Sequence, residues 1–535
     1  MSGDRRGPPP YAYHELGPST PPGTYVPAHR PPEQPVSSPS EPGGEQRRPS
    51  YSDHDPQPGF LHYDRPTVFP PSAPPIWTQT PQSNADHEYA RKFKFDRPFQ
   101  DGTFLLAFLV HLGAMIGLAI AYLPPFIRDI AAEERRRRIH VTYGDVKDLG
   151  IVLGVGTVTG ACAAAAWMSF ARRFADSIIS VSLTLSIVFC GILSVASLLT
   201  GQGWAALGFG LTGVLTALYY YYVRHRIQFA ASMLEMSIMV IHKYSGPVYI
   251  AFSFILLQMV WVAFWSATSA SVAYALSRAT EAGGDKAYGV VVFALLVSLY
   301  WTLEVLSNIV HVTTAGVAAS WWFFPDLSHS TRASFVRAST TSLGSVCFGS
   351  LIVALISALE AIVRLARTDE DNNNNCLQQI LLAIVQCAED LAKYFNVYAF
   401  SRVAIYGKSF TTSGRETWDM FRAKGIDMVI NDDLTGHVLA LGALFGFGIS
   451  ACSAAVVALF VLDNPYDGSS WLYLGLIAGV LGYAIVYLVM NVLRSCVATF
   501  FVCWAEDANA LRISRPRQYE KLRNNISYTY PGLSV

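Results

Sequence analysis

The chain has 535 residues and no formal net charge at neutral pH; 52% of its residues are hydrophobic and only 15% are charged. A soluble globular domain carries about 25% charged residues, whereas this chain repeats nearly uncharged apolar windows of about 20 residues, the length that crosses a bilayer. The composition therefore predicts an all-α integral membrane protein in a lipid bilayer. The chain also lacks a basic stripe interleaved with aromatic residues, which excludes nucleic acid as a partner.

The first 98 residues are rich in proline and hold 22 of the 29 prolines, with hardly any Val, Ile or Leu. Such a segment buries too little apolar surface to offset the entropy lost on ordering. We predict that residues 1–98 form a disordered cytoplasmic tail, whose cytosolic partners the sequence does not identify. No cleavable signal peptide is visible, so the first apolar segment is expected to act as the insertion signal.

Ten apolar segments follow this tail, and we predict that they form a polytopic bundle of about ten transmembrane helices over residues 99–503. Residues 504–535 would then form a cytoplasmic C-terminal tail. The sixth segment could extend to Trp322, as one long broken helix or as a span followed by a re-entrant piece. The predicted spans lie at 103–123, 148–170, 178–200, 203–222, 247–268, 288–310, 340–363, 377–400, 436–461 and 471–495.

Lys and Arg residues favour alternate loops, which predicts the orientation because short basic loops are retained in the cytoplasm. With the N-terminus inside, the inner loops and the C-terminal tail receive most basic residues, while the outer loops around Gly201 and at 463–470 contain none. Arg135 to Arg138 disagree, since they would lie outside. The balance predicts a multi-pass membrane protein with both termini in the cytoplasm.

The sequence shows no motif of a soluble catalytic centre: no Gly-rich loop ending in Gly-Lys-Ser/Thr, no nucleophile elbow and no His-Glu-x-x-His. The eight cysteines lie mostly in apolar stretches and lack the paired spacing of a zinc or redox site. We therefore expect no enzyme activity, no catalytic residue, no metal and no cofactor.

The sixth segment carries a polar stripe, because Tyr300, Glu304, Asn308 and His311 are spaced by four, four and three residues and share one helical face. Burying such groups in lipid is costly unless they face a partner or a watery cavity. One interpretation is a substrate or proton pathway; the other is that these groups tie helices together or lie near the headgroups. The two interpretations have equal weight for Glu304. For His311 we favour the second, structural interpretation.

Aromatic residues crowd the same region, with Trp261 on the fifth segment and Trp301 on the sixth. Aromatic faces attract quaternary ammonium groups, so a cage beside a buried acid would suit a choline-like cation. Interfacial belts are the alternative, and we favour them for Trp265, Trp321 and Trp322.

Other intramembrane polar residues have simpler explanations. Gln258, and Asn491 with Arg494, are further polar points in otherwise apolar helices, and each is expected to hydrogen-bond a neighbour. In the eighth segment, Lys393 is predicted to pair with Glu389 one helical turn away. Four glycine pairs at four-residue spacing predict close helix packing: Gly150 with Gly154, Gly156 with Gly160, Gly442 with Gly446, and Gly475 with Gly479.

Several separated stretches resemble the choline transporter-like family, and its fungal branch most closely: Asn308 to Phe323, Phe348 to Leu351, Asn396 to Phe400, Ala404 to Phe410 and Phe500 to Asp507. The resemblance covers roughly residues 100–520. It implies a ten-span plasma-membrane transporter with cytoplasmic termini, and animal members are associated with choline and ethanolamine. The outer loop at about 124–147 is short here, whereas animal relatives have a large domain at this place.

Two functions from different classes follow. The first is a secondary transporter of a small organic solute, with a choline-like cation as the candidate, using Tyr300, Trp301, Glu304, Asn308, His311, Trp261 and Gln258 for binding or as a pathway. The second is a membrane scaffold or sensor whose tail at 1–98 recruits cytosolic partners. Deleting the tail would abolish the function of a scaffold, and substituting Glu304 or Asn308 would abolish that of a transporter.

Overall fold

A computed structural model describes residues 99–134, 143–280, 288–324, 330–368, 376–460 and 470–529. These residues form thirteen α-helices and no β-strand, which confirms the predicted fold class. The predicted tail at 1–98 and Arg135 to Arg138 lie outside the described residues. The helices are α1 (Gly102–Glu134), α2 (Tyr143–Leu199), α3 (Gly203–Val223), α4 (Ile227–Lys243), α5 (Gly246–Thr280), α6 (Tyr288–Phe323), α7 (Ser330–Ser339), α8 (Leu343–Thr368), α9 (Cys376–Tyr406), α10 (Phe410–Phe460), α11 (Ser470–Glu506), α12 (Ala508–Ser514) and α13 (Pro516–Thr529).

Eight of the described helical stretches are long and apolar enough to cross a bilayer. One of them, within α2, covers two predicted spans, and the backbone leaves the helical conformation between them at Phe174 (φ −129°, ψ 30°). The predicted span at 377–400 lies in α9 but is too polar to meet this criterion, because it contains Glu389, Asp390 and Lys393. Ten spans is therefore an approximate count.

Helix α6 is continuous from Tyr288 to Phe323. Its 36 residues extend over about 54 Å at the usual rise of a helix, more than the thickness of a hydrocarbon core. Of the two predicted arrangements, neither a break nor a re-entrant piece is present.

Helix α4 was not predicted, because Glu235 and Lys243 interrupt the hydropathy of a segment too short to span. Twelve of its 17 residues are nevertheless buried. Its Glu235 pairs with Lys521 of α13, and the side-chain amide of Asn525 donates to the Ser232 hydroxyl over 2.6 Å. The chain thus packs a short amphipathic helix against the bundle and covers it with the C-terminal helix.

The predicted glycine pairs allow close helix approach at three of four places. A Cβ added at Gly156 or Gly160 would lie 3.0–3.1 Å from backbone atoms of α11. Gly446, at the crossing of α10 and α11, would meet Val486, and Gly479 would lie 2.9 Å from Ala451 Cβ. The prediction of close packing at Gly150 and Gly154 was wrong, since a Cβ at either residue would meet no atom within 4 Å.

Two apolar clusters hold the helices that frame the candidate site. The larger joins α2, α4, the last turns of α6 and the inner face of α11, with Trp322, Phe500 and Phe501 fully buried. The second joins α1, α6, α8, α9 and the first residues of α10 around Phe400. Because α6 and α9 belong to both clusters, their polar side chains are fixed relative to α11.

Candidate substrate cavity

A cavity of about 510 Å³ lies between α5, α6 and α11, with Val397 of α9 at its back. Much of its polar lining comes from residues far apart in the chain: Gln258, Ser307, Asn308, His311, Asn491 and Arg494. Each lies within an apolar stretch long enough to span a membrane. Ser307 and Asn491 are exposed on the surface of their helices, and polar groups at such a depth are expected to face one another or a water-filled space.

Gln258 fastens α5 to α6 at the edge of the cavity. Its side-chain nitrogen donates to the Ser307 hydroxyl over 3.0 Å and to the Leu303 carbonyl over 3.3 Å. Both bonds use the amide nitrogen, so neither engages the amide oxygen of Gln258, which lines the cavity. The residue thus has the capacity both to pack helices and to contact a solute.

Asn308 has a similar arrangement on α6. Its side-chain nitrogen donates to Ser350 Oγ of α8 over 3.0 Å and to Glu304 Oε2 over 3.4 Å. Neither bond uses the amide oxygen, and Asn308 lines the cavity. Asn308 therefore connects the cavity wall to the Glu304 carboxylate.

Glu304 lies one helical turn from Asn308 and outside the cavity lining. It interacts electrostatically with Lys393 and Glu389 of α9. The predicted pair of Lys393 and Glu389 is present, and the Ser357 hydroxyl donates to Glu389 over 2.7 Å. The acid singled out from the sequence thus lies behind the wall, in a polar group shared by α6, α8 and α9.

His311 ties three helices together. Its Nε2 donates to the Val397 carbonyl of α9 over 2.9 Å, and Nδ1 lies 2.8 Å from Ser495 Oγ of α11. With both ring nitrogens engaged and the side chain buried, the geometry agrees with the structural interpretation of this residue.

We expect His311→Ala to lower the free energy of unfolding by about 2 kcal/mol, because hydrogen bonds between transmembrane helices contribute about 0.6–2 kcal/mol each. Thermal unfolding of the purified protein in detergent would measure the loss. A matched change at the exposed His242 should leave the unfolding temperature unaltered. An unchanged unfolding temperature in His311→Ala would contradict the structural role.

The remaining predicted residues lie elsewhere. Trp301 is buried, donates to the Cys347 carbonyl over 3.0 Å, and packs on Phe108 and His111 of α1 at ring distances of 5.2 and 5.1 Å. The Trp261 ring meets the His111 ring edge to face, with centroids 6.3 Å apart. Tyr300 joins the apolar cluster of α6, α8 and α9. These aromatic side chains attach α1 to α5 and α6 and do not line the cavity.

Two tyrosines of the cavity wall were missed from the sequence. Tyr483 and Tyr487 of α11 stack with ring centroids 5.8 Å apart and an interplanar angle of 9°. Tyr483, Tyr487, Asn491 and Arg494 are spaced by four, four and three residues, the same spacing as the stripe on α6. The same helical spacing applied to this segment would have found the two tyrosines, because each carries a polar hydroxyl within an apolar stretch.

Comparison with known proteins identifies the relatives of this chain. A family model described as plasma-membrane choline transporter matches residues 207–509. A CTL-like protein of Dictyostelium discoideum is 30% identical over 66% of this chain and 62% of its own length. Protein PNS1 of Yarrowia lipolytica is 31% identical over 68% of this chain and 66% of its own, and Protein pns1 of Aspergillus fumigatus 32% over 66% and 69%. The chain thus spans just under two thirds of the length of the first two relatives.

Proposed function

Because the chain belongs to the choline transporter-like family, we propose that it is a secondary transporter that moves a small organic solute across the plasma membrane through the cavity between α5, α6 and α11. The observation that carries the proposal is the convergence of Gln258, Asn308 and Asn491 from three helices on one space inside the spans. A bundle that served only as an anchor would gain nothing from exposing these amides.

The cavity has the chemistry to hold a choline-like cation at one end. The faces of Tyr483 and Tyr487 attract a quaternary ammonium group through the ring quadrupole. Glu304 lies toward the same end, behind Asn308, and adds negative potential. Arg494 lines the opposite end of the α11 wall, where it would face the polar or anionic part of a solute. The cavity volume of about 510 Å³ is ample for such a molecule.

Uptake by liposomes that contain the purified chain tests the proposal. We expect saturable uptake of labelled choline above that of empty liposomes, with ethanolamine as a competitor. If the folded protein takes up neither amine, the same assay with zwitterionic and anionic solutes decides whether another solute is carried. Absence of any uptake would favour the scaffold, for which residues 1–98 would be required.

We expect Glu304→Gln to reduce the uptake rate of a cationic solute by about tenfold, because removing one charge that attracts a buried cation costs about 1.4 kcal/mol or more. The matched control is Asp176→Asn, the same loss of charge at an exposed position of α2. Normal uptake by folded Glu304→Gln protein would remove Glu304 from the transport mechanism.

A further inference from the structure

A group of charged side chains joins α9, α10 and α11 at the end of the bundle that is predicted to face the cytoplasm. Arg402 of α9, whose side chain is only 8% exposed, forms ion pairs with Glu506 at the end of α11 and, over 3.2 Å, with Glu416 of α10. Lys408 also pairs with Glu416, and the Tyr406 hydroxyl donates to Glu506. We call these five residues the inner latch.

The last turn of α6 is fastened beside the inner latch. The Trp322 indole donates to the Asp507 carbonyl over 3.1 Å, and the Ser514 hydroxyl donates to the Trp322 carbonyl over 2.6 Å. Arg515 donates to the Trp321 carbonyl over 3.3 Å and stacks on its ring at 4.5 Å. The end of α6 is therefore held to the segment that follows α11, next to the ion pairs that join α9, α10 and α11.

The path from the cavity to the inner latch is closed in this structure. On the side of the cavity nearer the inner latch, His311 Nε2 lies 3.4 Å from Ser401 Oγ, which lies 3.2 Å from Thr499 Oγ1. Ser401 and Thr499 are completely buried. A solute in the cavity would have to separate α9 from α11 at this layer and at the inner latch to leave toward this end.

We infer that the inner latch is a gate, in which Arg402 is the positioning residue that keeps the cavity closed toward the predicted cytoplasmic end. The inference rests on the proposed function. Separating α9 from α10 and α11 breaks the two ion pairs of Arg402 and opens the layer of Ser401 and Thr499. The solute then reaches the cytoplasm along the inner half of α11.

Three features suit a contact that breaks and re-forms. Glu506 and Glu416 keep 20% and 31% of their side chains exposed, so water reaches both carboxylates when the pairs separate. The Nε of Arg402 is buried and has no hydrogen-bond partner in the described part of the chain, which weakens the closed state. The short connection between α9 and α10 contains Gly407 at φ +58°, a left-handed conformation that glycine adopts readily. The backbone can therefore turn at Gly407 when α9 and α10 separate.

The reactivity of a native cysteine tests the gate without any knowledge of the solute. Cys503 of α11 is completely buried and close enough to Arg402 for the two to interact electrostatically. Inside-out membrane vesicles would be treated with a charged methanethiosulfonate reagent, and labelling at Cys503 would be followed by peptide mass spectrometry. Cys347 of α8, equally buried and not one of the residues of the inner latch, is the internal reference.

We expect slow labelling of Cys503 in the wild type and labelling at least about tenfold faster in Arg402→Gln, since labelling through an opened state follows the population of that state. Arg402→Lys keeps a cation for one carboxylate and should restore most of the protection. Arg364→Gln, which removes an exposed ion pair of α8, is the matched control and should label like the wild type. If Arg402→Gln does not fold, Glu416→Gln replaces it.

Unchanged protection of Cys503 in folded Arg402→Gln protein would overturn the gate, and so would equal acceleration at Cys347, which would indicate general unfolding. Faster labelling confined to Cys503 supports the gate even if choline is not transported. Transport with unchanged labelling would leave the proposed function intact and reject only the gate.

Discussion

Replacing Asn308 with leucine is expected to reduce solute uptake by about a hundredfold, because the cavity wall loses an amide available to a solute and the contact that positions Glu304; a loss of about 3 kcal/mol in solute binding corresponds to about this factor. The leucine would leave Ser350 and Glu304 without the amide that joins them and would remove the amide oxygen from the cavity wall. Leucine branches at Cγ as asparagine does, so it keeps the shape of the side chain and removes its polarity. Uptake rates in liposomes, normalised to the amount of folded protein, measure the effect.

Asn396→Leu is the matched control for this prediction. Asn396 is another asparagine inside the same bundle, and its amide donates to the Gly349 carbonyl over 2.9 Å, but it does not line the cavity. This variant should lose stability and keep the uptake of its folded fraction. If both variants lose uptake equally, the cavity is not the transport site.

The second large effect is expected at Gly482, where α10 and α11 are in closest contact. A Cβ at this position would overlap Ser450 and lie 2.7 Å from the Gly446 carbonyl oxygen. Since backbone atoms cannot rotate away as a flexible side chain can, Gly482→Ala must push the two helices apart. We expect a loss of about 3 kcal/mol in the free energy of unfolding, at the upper end of the cost of overpacking.

Gly448→Ala on α10 is the control, because a Cβ there meets no atom within 4 Å. Alanine in an open helical position is more favourable than glycine by about 0.5–1 kcal/mol, so this variant should be as stable as the wild type or slightly more stable. Thermal unfolding in detergent compares the two. A Gly482→Ala protein as stable as Gly448→Ala would show that α10 and α11 do not pack as described.

The two predictions separate the parts of the molecule that carry solute from those that hold it together. The cavity wall consists of amides and tyrosines that keep hydrogen-bonding groups available, whereas the crossing of α10 and α11 depends on the absence of side chains. The inner latch lies between these extremes, because its ion pairs are partly hydrated. Transport, stability and thiol protection therefore report on three different sets of contacts.

The sequence by itself determined the fold class and nearly all of the spans. Hydropathy over about 20 residues follows directly from the cost of placing polar groups in hydrocarbon, which is a local property of each segment. The stripe of Glu304, Asn308 and His311 followed from helical spacing, which is local too. The pairing of Lys393 with Glu389 was predictable for the same reason.

Only the tertiary structure decided which of these polar groups share a space. Helical spacing places Tyr300 and Asn308 on one face of α6, yet that face meets α1 and α8 at one level and α5 and α11 at another, so the stripe is divided between an aromatic cluster and the cavity. Helix α4 and the inner latch likewise depend on residues more than a hundred positions apart, such as Arg402 and Glu506. Periodicity records the direction of a side chain within its own helix, whereas its neighbours are set by packing among all the helices together.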